Sequence, residues 1–372
     1  MSRRRDIGTD DPRVRVRPTK GSRPRSKRRP DWSSAPTGMV TTIDRGRYGI
    51  RMDTGIDVQA IRARELGRGS VILGDRVHVH GDVSGTPDTL ARIVSIDPRR
   101  TVLRRSLEDA PDQRGEKAIV ANADLLVMVV ASADPPPRTG MVDRYLVAAH
   151  EAGIDAMLCM TKADLADPQP FLDLYSDFDL PVVVTELSDA DDSTSFRAED
   201  VARVARRIAG RFSVLVGHSG VGKSTLINAL VPDADRAVGG VNAVTGRGRH
   251  TSTSSQAFEL PGDAGGWVTD TPGVRSFGLG HVSPDDVLDV FPDVAEAATY
   301  CLPMCTHLAD EPSCALDQWV AGTGPFADPD VAGPAGPPDD AERARRRSRV
   351  DSARRLLESV KTAQDASKSA RG

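Results

Sequence analysis

A chain of 372 residues with a formal net charge of −4 has room for two or three domains, each with its own core. Its four cysteines are too few for a disulfide framework at this length, and no apolar run approaches the roughly 18 residues of a membrane span. These features argue against disulfide scaffolds and membrane-spanning proteins; with no apolar stretch behind the Arg-rich beginning, a soluble cytoplasmic protein is expected.

The charge is uneven. Residues 1–30 hold twelve Lys/Arg against three Asp, and residues 339–372 hold ten against six acidic residues. Two basic ends around an acidic middle point to polyanion contact at both termini, or more plainly to solvated tails. Residues 1–35 carry repeated prolines and no apolar periodicity, and read as a disordered basic arm. Residues 36–108 contain five short Val- and Ile-rich runs separated by Gly-containing turns, the pattern of an OB-type Greek-key barrel. Tyr48 is its only aromatic for stacking bases, beside Arg45, Arg47, Arg51, Arg62 and Arg64. RNA recognition by charge or shape is therefore expected over base stacking, with a purely structural barrel as the alternative.

Strand and helix patterns then alternate, which predicts an α/β domain with a mainly parallel sheet over 109–285. Residues 117–124 and 125–130 read as strands, the second buried on both faces, and 141–153 as a helix stopped by glycine. The apolar run 156–160, in which Cys159 reads as a small buried residue, leads into Thr161-Lys162-Ala163-Asp164. Asp164 can accept hydrogen bonds from guanine N1–H and the 2-amino group, donors that adenine lacks there. Thr161 stands where such motifs more often carry Asn, which predicts a weakened tether between this loop and the phosphate site. Thr185 and Ser188 are candidates for closing over the base, and Ser188–Asp200 reads as a polar surface loop.

After the apolar run 212–216 come Gly217, His218, Ser219, Gly220, Val221, Gly222, Lys223, Ser224 and Thr225, the spacing of a phosphate-binding loop. The glycines let backbone N–H groups face phosphate oxygens, Lys223 reaches the β and γ phosphates, and Ser224 ligates Mg²⁺. The polar stretch 241–253 fits a first switch, in which Thr251 or Thr253 completes the Mg²⁺ shell. Asp270-Thr-Pro-Gly273 fits the second switch, with Asp270 holding Mg²⁺ through water and the Gly273 N–H meeting the γ-phosphate. The order is rearranged. A Ras-like chain meets the phosphate loop first and the base loop last, whereas here residues 161–164 precede 217–225, so the domain is circularly permuted.

Cys301-x3-Cys305-x-His307-x6-Cys314 offers three thiolates and an imidazole, a donor set for one structural Zn²⁺ with no open position. The zinc-binding domain is expected over 286–320. A Pro/Gly linker and a basic helical tail with few apolar anchors are expected over 321–372, the helix docking RNA or packing weakly on the zinc region.

This arrangement resembles the circularly permuted GTPases of small ribosomal subunit biogenesis, the RsgA or YjeQ family. The resemblance rests on residues 119–124, 142–149, 161–165, 217–230, 246–253 and 270–279 together with the Cys/His cluster. It implies a GTP hydrolase that binds the small (30S) ribosomal subunit and its rRNA late in maturation, as a monomer away from membranes, and is released when GTP becomes GDP. Val274 stands where Ras-type enzymes carry a water-orienting Gln. By the resemblance His250 is the catalytic candidate for orienting water, or else a residue that contacts RNA or orders its loop. A GTP-gated RNA-binding scaffold with little hydrolysis, and a permuted GTPase of another ribosomal particle, are the alternatives.

Overall fold

A computed structural model describes residues 31–67, 69–106, 116–176, 178, 180–188, 195–232, 234, 255–270, 282–328, 331 and 338–369. Contacts divide the chain into Met1–Ser34 and Ala35–Gly372, and every element among the described residues lies in the second unit. The expected basic arm lies outside the described residues as far as position 30.

The five alternating runs form β1 (Thr37–Asp44), β2 (Arg47–Met52), β3 (Asp57–Arg62), β4 (Arg76–His80) and β5 (Ala91–Ile96). They lie in the order β1-β2-β3-β5-β4, and β4 returns to pair with β1, closing a barrel. Period-two alternation sends Val40, Ile50, Val58, Val77, Val79 and Ile93 inward. Tyr48 joins that core and offers no surface for stacking a base. Next comes an antiparallel hairpin of β6 (Val102–Ser106) and β7 (Glu116–Ala121), a pairing that the sequence pattern did not announce.

The α/β region runs β8 (Leu125–Ala131), α1 (Thr139–Glu151), β9 (Asp155–Thr161), α2 (Gln169–Leu172), β10 (Val182–Val184), α3 (Ala198–Ile208), β11 (Phe212–Val216), α4 (Lys223–Leu230), β12 (Ser255–Glu259) and β13 (Trp267–Asp270). The strands lie as β10-β9-β8-β11-β13-β12, all parallel except the β12–β13 pair. β8 is buried along its whole length: Leu126, Met128 and Val130 enter the core under α1, while Leu125, Val127 and Val129 face α3 and α4. Barrel and α/β sheet are joined where β1 pairs antiparallel with β12, Thr42 opposite Gln256 and Ile43 opposite Ser255. Arg51 reinforces the seam, bonding Glu259 at 2.5 Å and lying 5.2 Å from the centre of the Trp267 ring.

The C-terminal part contains α5 (Pro284–Asp289), α6 (Pro292–Ala298), α7 (Ala315–Ala321) and α8 (Asp340–Ser369). The expectation of a weakly packed basic tail is corrected here. Val350, Ala353, Leu356, Leu357 and Val360 form an apolar stripe at helical spacing inside the core that includes α1, α6 and α7. The arginines between them serve internal ion pairs: Arg349 with Asp293 at 2.5 Å, Arg354 with Asp317 at 2.8 Å and Arg355 with Asp143 at 3.0 Å. Arg349 also lies over the Phe178 ring, 4.5 Å from its centre. Removing one partner of so enclosed a pair leaves a charge without its counter-ion, which fixes α8 in place. Among the described residues no helix is long and apolar enough to cross a membrane.

Candidate nucleotide site and metal centre

The chemistry-bearing residues collect at the carboxyl ends of the parallel strands, where open α/β sheets hold their ligands. β11 delivers the loop at 217–222, β9 delivers Thr161 to Asp164, and β13 ends in Asp270, opposite Leu215 of β11. A Cβ on Gly217 would stand 2.2 Å from the Val129 carbonyl oxygen, so only glycine lets the loop leave β11 beside β8. Gly222, at φ 96°, caps α4 without any side-chain hydrogen bond, which leaves the first N–H groups of the helix for an anion. Beneath it lies Phe196, which a Cβ on Gly222 would meet at 3.3 Å.

Lys223 folds back over the loop, its Nζ donating to the carbonyls of Gly217 at 2.8 Å and His218 at 3.0 Å. Burial pulls its pKa below the usual lysine value, and the charge of Asp270 opposes that shift. Ser224 is exposed in the first turn of α4.

The loop at 161–164 is tied to the loop at 217–222 after all. Thr161 is fully buried, and its Oγ1 donates to the Val221 carbonyl at 2.7 Å, so the weakened tether expected from the missing Asn is corrected. A hydroxyl suffices because β9 ends close enough for the short side chain to reach. Lys162 adopts φ 57° and its Nζ donates to the Asp134 carbonyl. Asp164 is exposed, and its Oδ1 accepts the Leu187 N–H at 3.2 Å. The Ala163 N–H donates to the Thr185 carbonyl at 3.3 Å, which brings residues 185–187 beside the loop. The Thr185 side chain itself is buried and turned to the Met160 carbonyl at 3.2 Å, so of the two closing candidates its hydroxyl does not face a base.

The surface-loop reading of 188–200 fails in its second half, because Phe196 and Asp200 are buried and the Asp200 carboxylate accepts the Glu186 N–H at 2.9 Å. Cys159 is buried as expected, and burial pushes its thiol up to about 12. The switch readings at 241–253, with Arg247, Arg249, His250, Thr251 and Thr253, and at Thr271 to Val274, with Gly273, lie outside the described residues.

At the other end of the chain, one ligand atom each from Cys301, Cys305, His307 and Cys314 lies within 4.8 Å of the others. Cys301 Sγ stands 3.4 Å from His307 Nδ1 and 3.9 Å from Cys314 Sγ, and the latter is 3.9 Å from His307 Nδ1. A tetrahedral Zn²⁺ with bonds of about 2.3 Å to sulfur needs sulfurs about 3.8 Å apart, so the donor set fits that ion. Burial, seconded by the charges of neighbouring thiols, pushes Cys301 up to about 12, against the Ala315 N–H that donates to its Sγ at 3.3 Å. A central cation would reverse that balance and hold Cys301, Cys305 and Cys314 as thiolates. Arg354 Nε fixes the turn from outside by donating to the His307 carbonyl at 3.0 Å.

The profile of the RsgA GTPase family matches residues 96–280. Over 304 residues the chain is 39% identical to the small ribosomal subunit biogenesis GTPase RsgA of Pseudomonas syringae pv. tomato, covering 77% of this chain and 80% of the relative. The chain belongs to the RsgA GTPase family. The RsgA of Alcanivorax borkumensis is also 39% identical, over 252 residues that make up 66% of each chain. Among solved structures, YloQ, described as a circularly permuted GTPase, aligns with a TM-score of 0.57 at 23% identity over 90% of this chain and 98% of its own. YjeQ from Thermotoga maritima aligns with a TM-score of 0.56 at 22% identity, over 87% of this chain and 98% of its own. Both likenesses concern the fold alone.

Proposed function

We propose that this chain is a cytoplasmic GTP hydrolase that binds the small ribosomal subunit and its rRNA during late maturation and leaves on hydrolysis. The reading rests on its RsgA kinship, and one observation carries it at the site: the Thr161–Val221 hydrogen bond, which couples base recognition to the phosphate loop. Asp164 selects guanine, with Lys162 along the base plane. Residues 217–225 take the phosphates, and Lys223 exchanges its loop carbonyls for the β and γ oxygens. Ser224 and Thr251 or Thr253, with Asp270 through water, would hold Mg²⁺, which would supply positive charge beside the β and γ phosphates as GDP departs. His250 orients the attacking water in place of the Gln that Val274 displaces, and the Gly273 N–H meets the γ-phosphate. Zn²⁺ on Cys301, Cys305, His307 and Cys314 holds the turn that contains them and takes no part in hydrolysis. A scaffold with little hydrolysis is the less favoured reading, since the relatives are named GTPases.

The test measures GTP hydrolysis by the purified chain alone, with small subunits and with large subunits. A rise with small subunits only is expected, and His250→Ala removes it. Equal rates in all three mixtures overturn the assignment to the small subunit.

A further inference from the structure

We propose that the turn between the first two cysteines of the metal centre is a docking surface for a basic protein, whose apolar cleft receives Leu302 and Met304. Leu302 is 67% exposed and Met304 is 96% exposed, with Tyr300 beside them at 46%. Other exposed large apolar side chains among the described residues, such as Ile56, Ile61, Leu90 and Leu165, belong to other segments of the chain. Three within five positions form a patch, and such patches on a soluble surface mark interaction sites.

The patch is held in shape. Cys301 and Cys305 bracket Leu302 and Met304, the Cys305 N–H closes the turn on the Leu302 carbonyl at 3.1 Å, and Leu308 anchors its far side in the core. Tyr300 rests edge-on against Phe326, their ring centres 5.0 Å apart. A rigid turn loses little freedom on binding, and the unbranched Met304 side chain adapts to the cleft it enters.

Charge decides the kind of partner. Residues 300–314 hold Asp310 and Glu311 and no Lys or Arg. The arginine bonded to this turn, Arg354, is committed to Asp317 and the His307 carbonyl, and its side chain is only 12% exposed. A phosphate backbone needs cations, and this surface has an acidic rim instead. An apolar centre with an acidic rim matches an apolar cleft with a basic rim. On the function proposed above, which this identification of the partner rests on, that protein is one of those on the small subunit.

The experiment uses the full chain with a photoreactive benzoylphenylalanine in place of Met304, irradiated with purified small subunits and, separately, inside cells. Leu302→Ser/Met304→Ser is measured alongside; both side chains face solvent, so zinc content and GTP affinity are expected to stay at wild-type values. An adduct to an identified basic protein, with co-sedimentation about tenfold weaker in the double variant, is the expected result. An adduct to rRNA, to a second copy or to the chain's own basic arm overturns the proposal, as does unchanged co-sedimentation or the absence of any protein adduct in cells. Failure of the wild-type chain to sediment with small subunits would instead count against the proposed function.

Discussion

The glycine-rich loop at 217–222 and the cysteine turn at 301–314 both present chemistry from short irregular segments, but they are held by different means. The first is shaped by its surroundings: Val129 admits only Gly217, Phe196 lies under Gly222, and Thr161 grips Val221. The second has Leu308 and Cys314 in the core, while Leu302, Pro303 and Met304 lie in solvent and four ligand atoms converge between them. A sheet edge can form a loop by sterics and hydrogen bonds, whereas the four donors of this short turn could hold a metal that would supply the missing core.

The largest effect that would break this contrast comes from the metal. Chelation, or Cys314→Ser, is expected to release about one zinc per chain and open 300–314 to protease, since structural zinc supplies about 10 kcal/mol or more in small sites. GTP affinity should remain, because nothing in 217–222 leans on the ligands. Zinc content, limited proteolysis and nucleotide titration measure the three quantities, and a parallel collapse of GTP binding would show that the two segments share one support.

Next in size is Thr161→Val, which leaves the buried Val221 carbonyl without its donor at a cost of about 1–3 kcal/mol. GTP affinity and thermal midpoint should both fall, Thr161→Ser should restore most of each, and zinc content should not change. A Val variant that binds GTP like the wild type would remove the tether from the account.

The smallest effect sharpens the contrast from outside both segments. Hydrogen bonds from Arg345, and then Arg346, hold the Glu342 carboxyl at about 2, below its ordinary 4.5, although burial opposes them. Its stabilising contribution is therefore full above pH 4.5 and is lost as pH falls through about 2. Glu342→Gln should cost a few tenths of a kcal/mol in urea unfolding near neutrality and progressively less toward pH 2, with GTP affinity and zinc content unaffected.

What was legible in the sequence is what local spacing encodes. The glycines of 217–222, the lysine and serine after them, Asp164 behind its strand, the rearranged order and the five barrel strands all lie in short contiguous patterns. The Cys/His cluster was legible because its donors fall within a few turns of chain. The tether was not, since whether a threonine reaches Val221 depends on how β9 ends relative to β11. Phe196 sits in a polar stretch, and only its place under Gly222 gives it meaning. α8 misled for a related reason: its charges look solvated until Asp143, Asp293 and Asp317, distant in sequence, are brought beside them. The β6–β7 hairpin escaped notice because Val102–Ser106 is short and ends in two arginines and a serine.

The seam between β1 and β12 bears on how far the protein can be dissected. β12 is the outermost strand of the α/β sheet, and β1 covers its free edge. A chain cut after the barrel would present that edge as a row of bare N–H and C=O groups, a template on which a second molecule can add a strand. The barrel therefore also guards the α/β region against self-association, and a fragment beginning at β6 should aggregate where the whole chain stays dispersed.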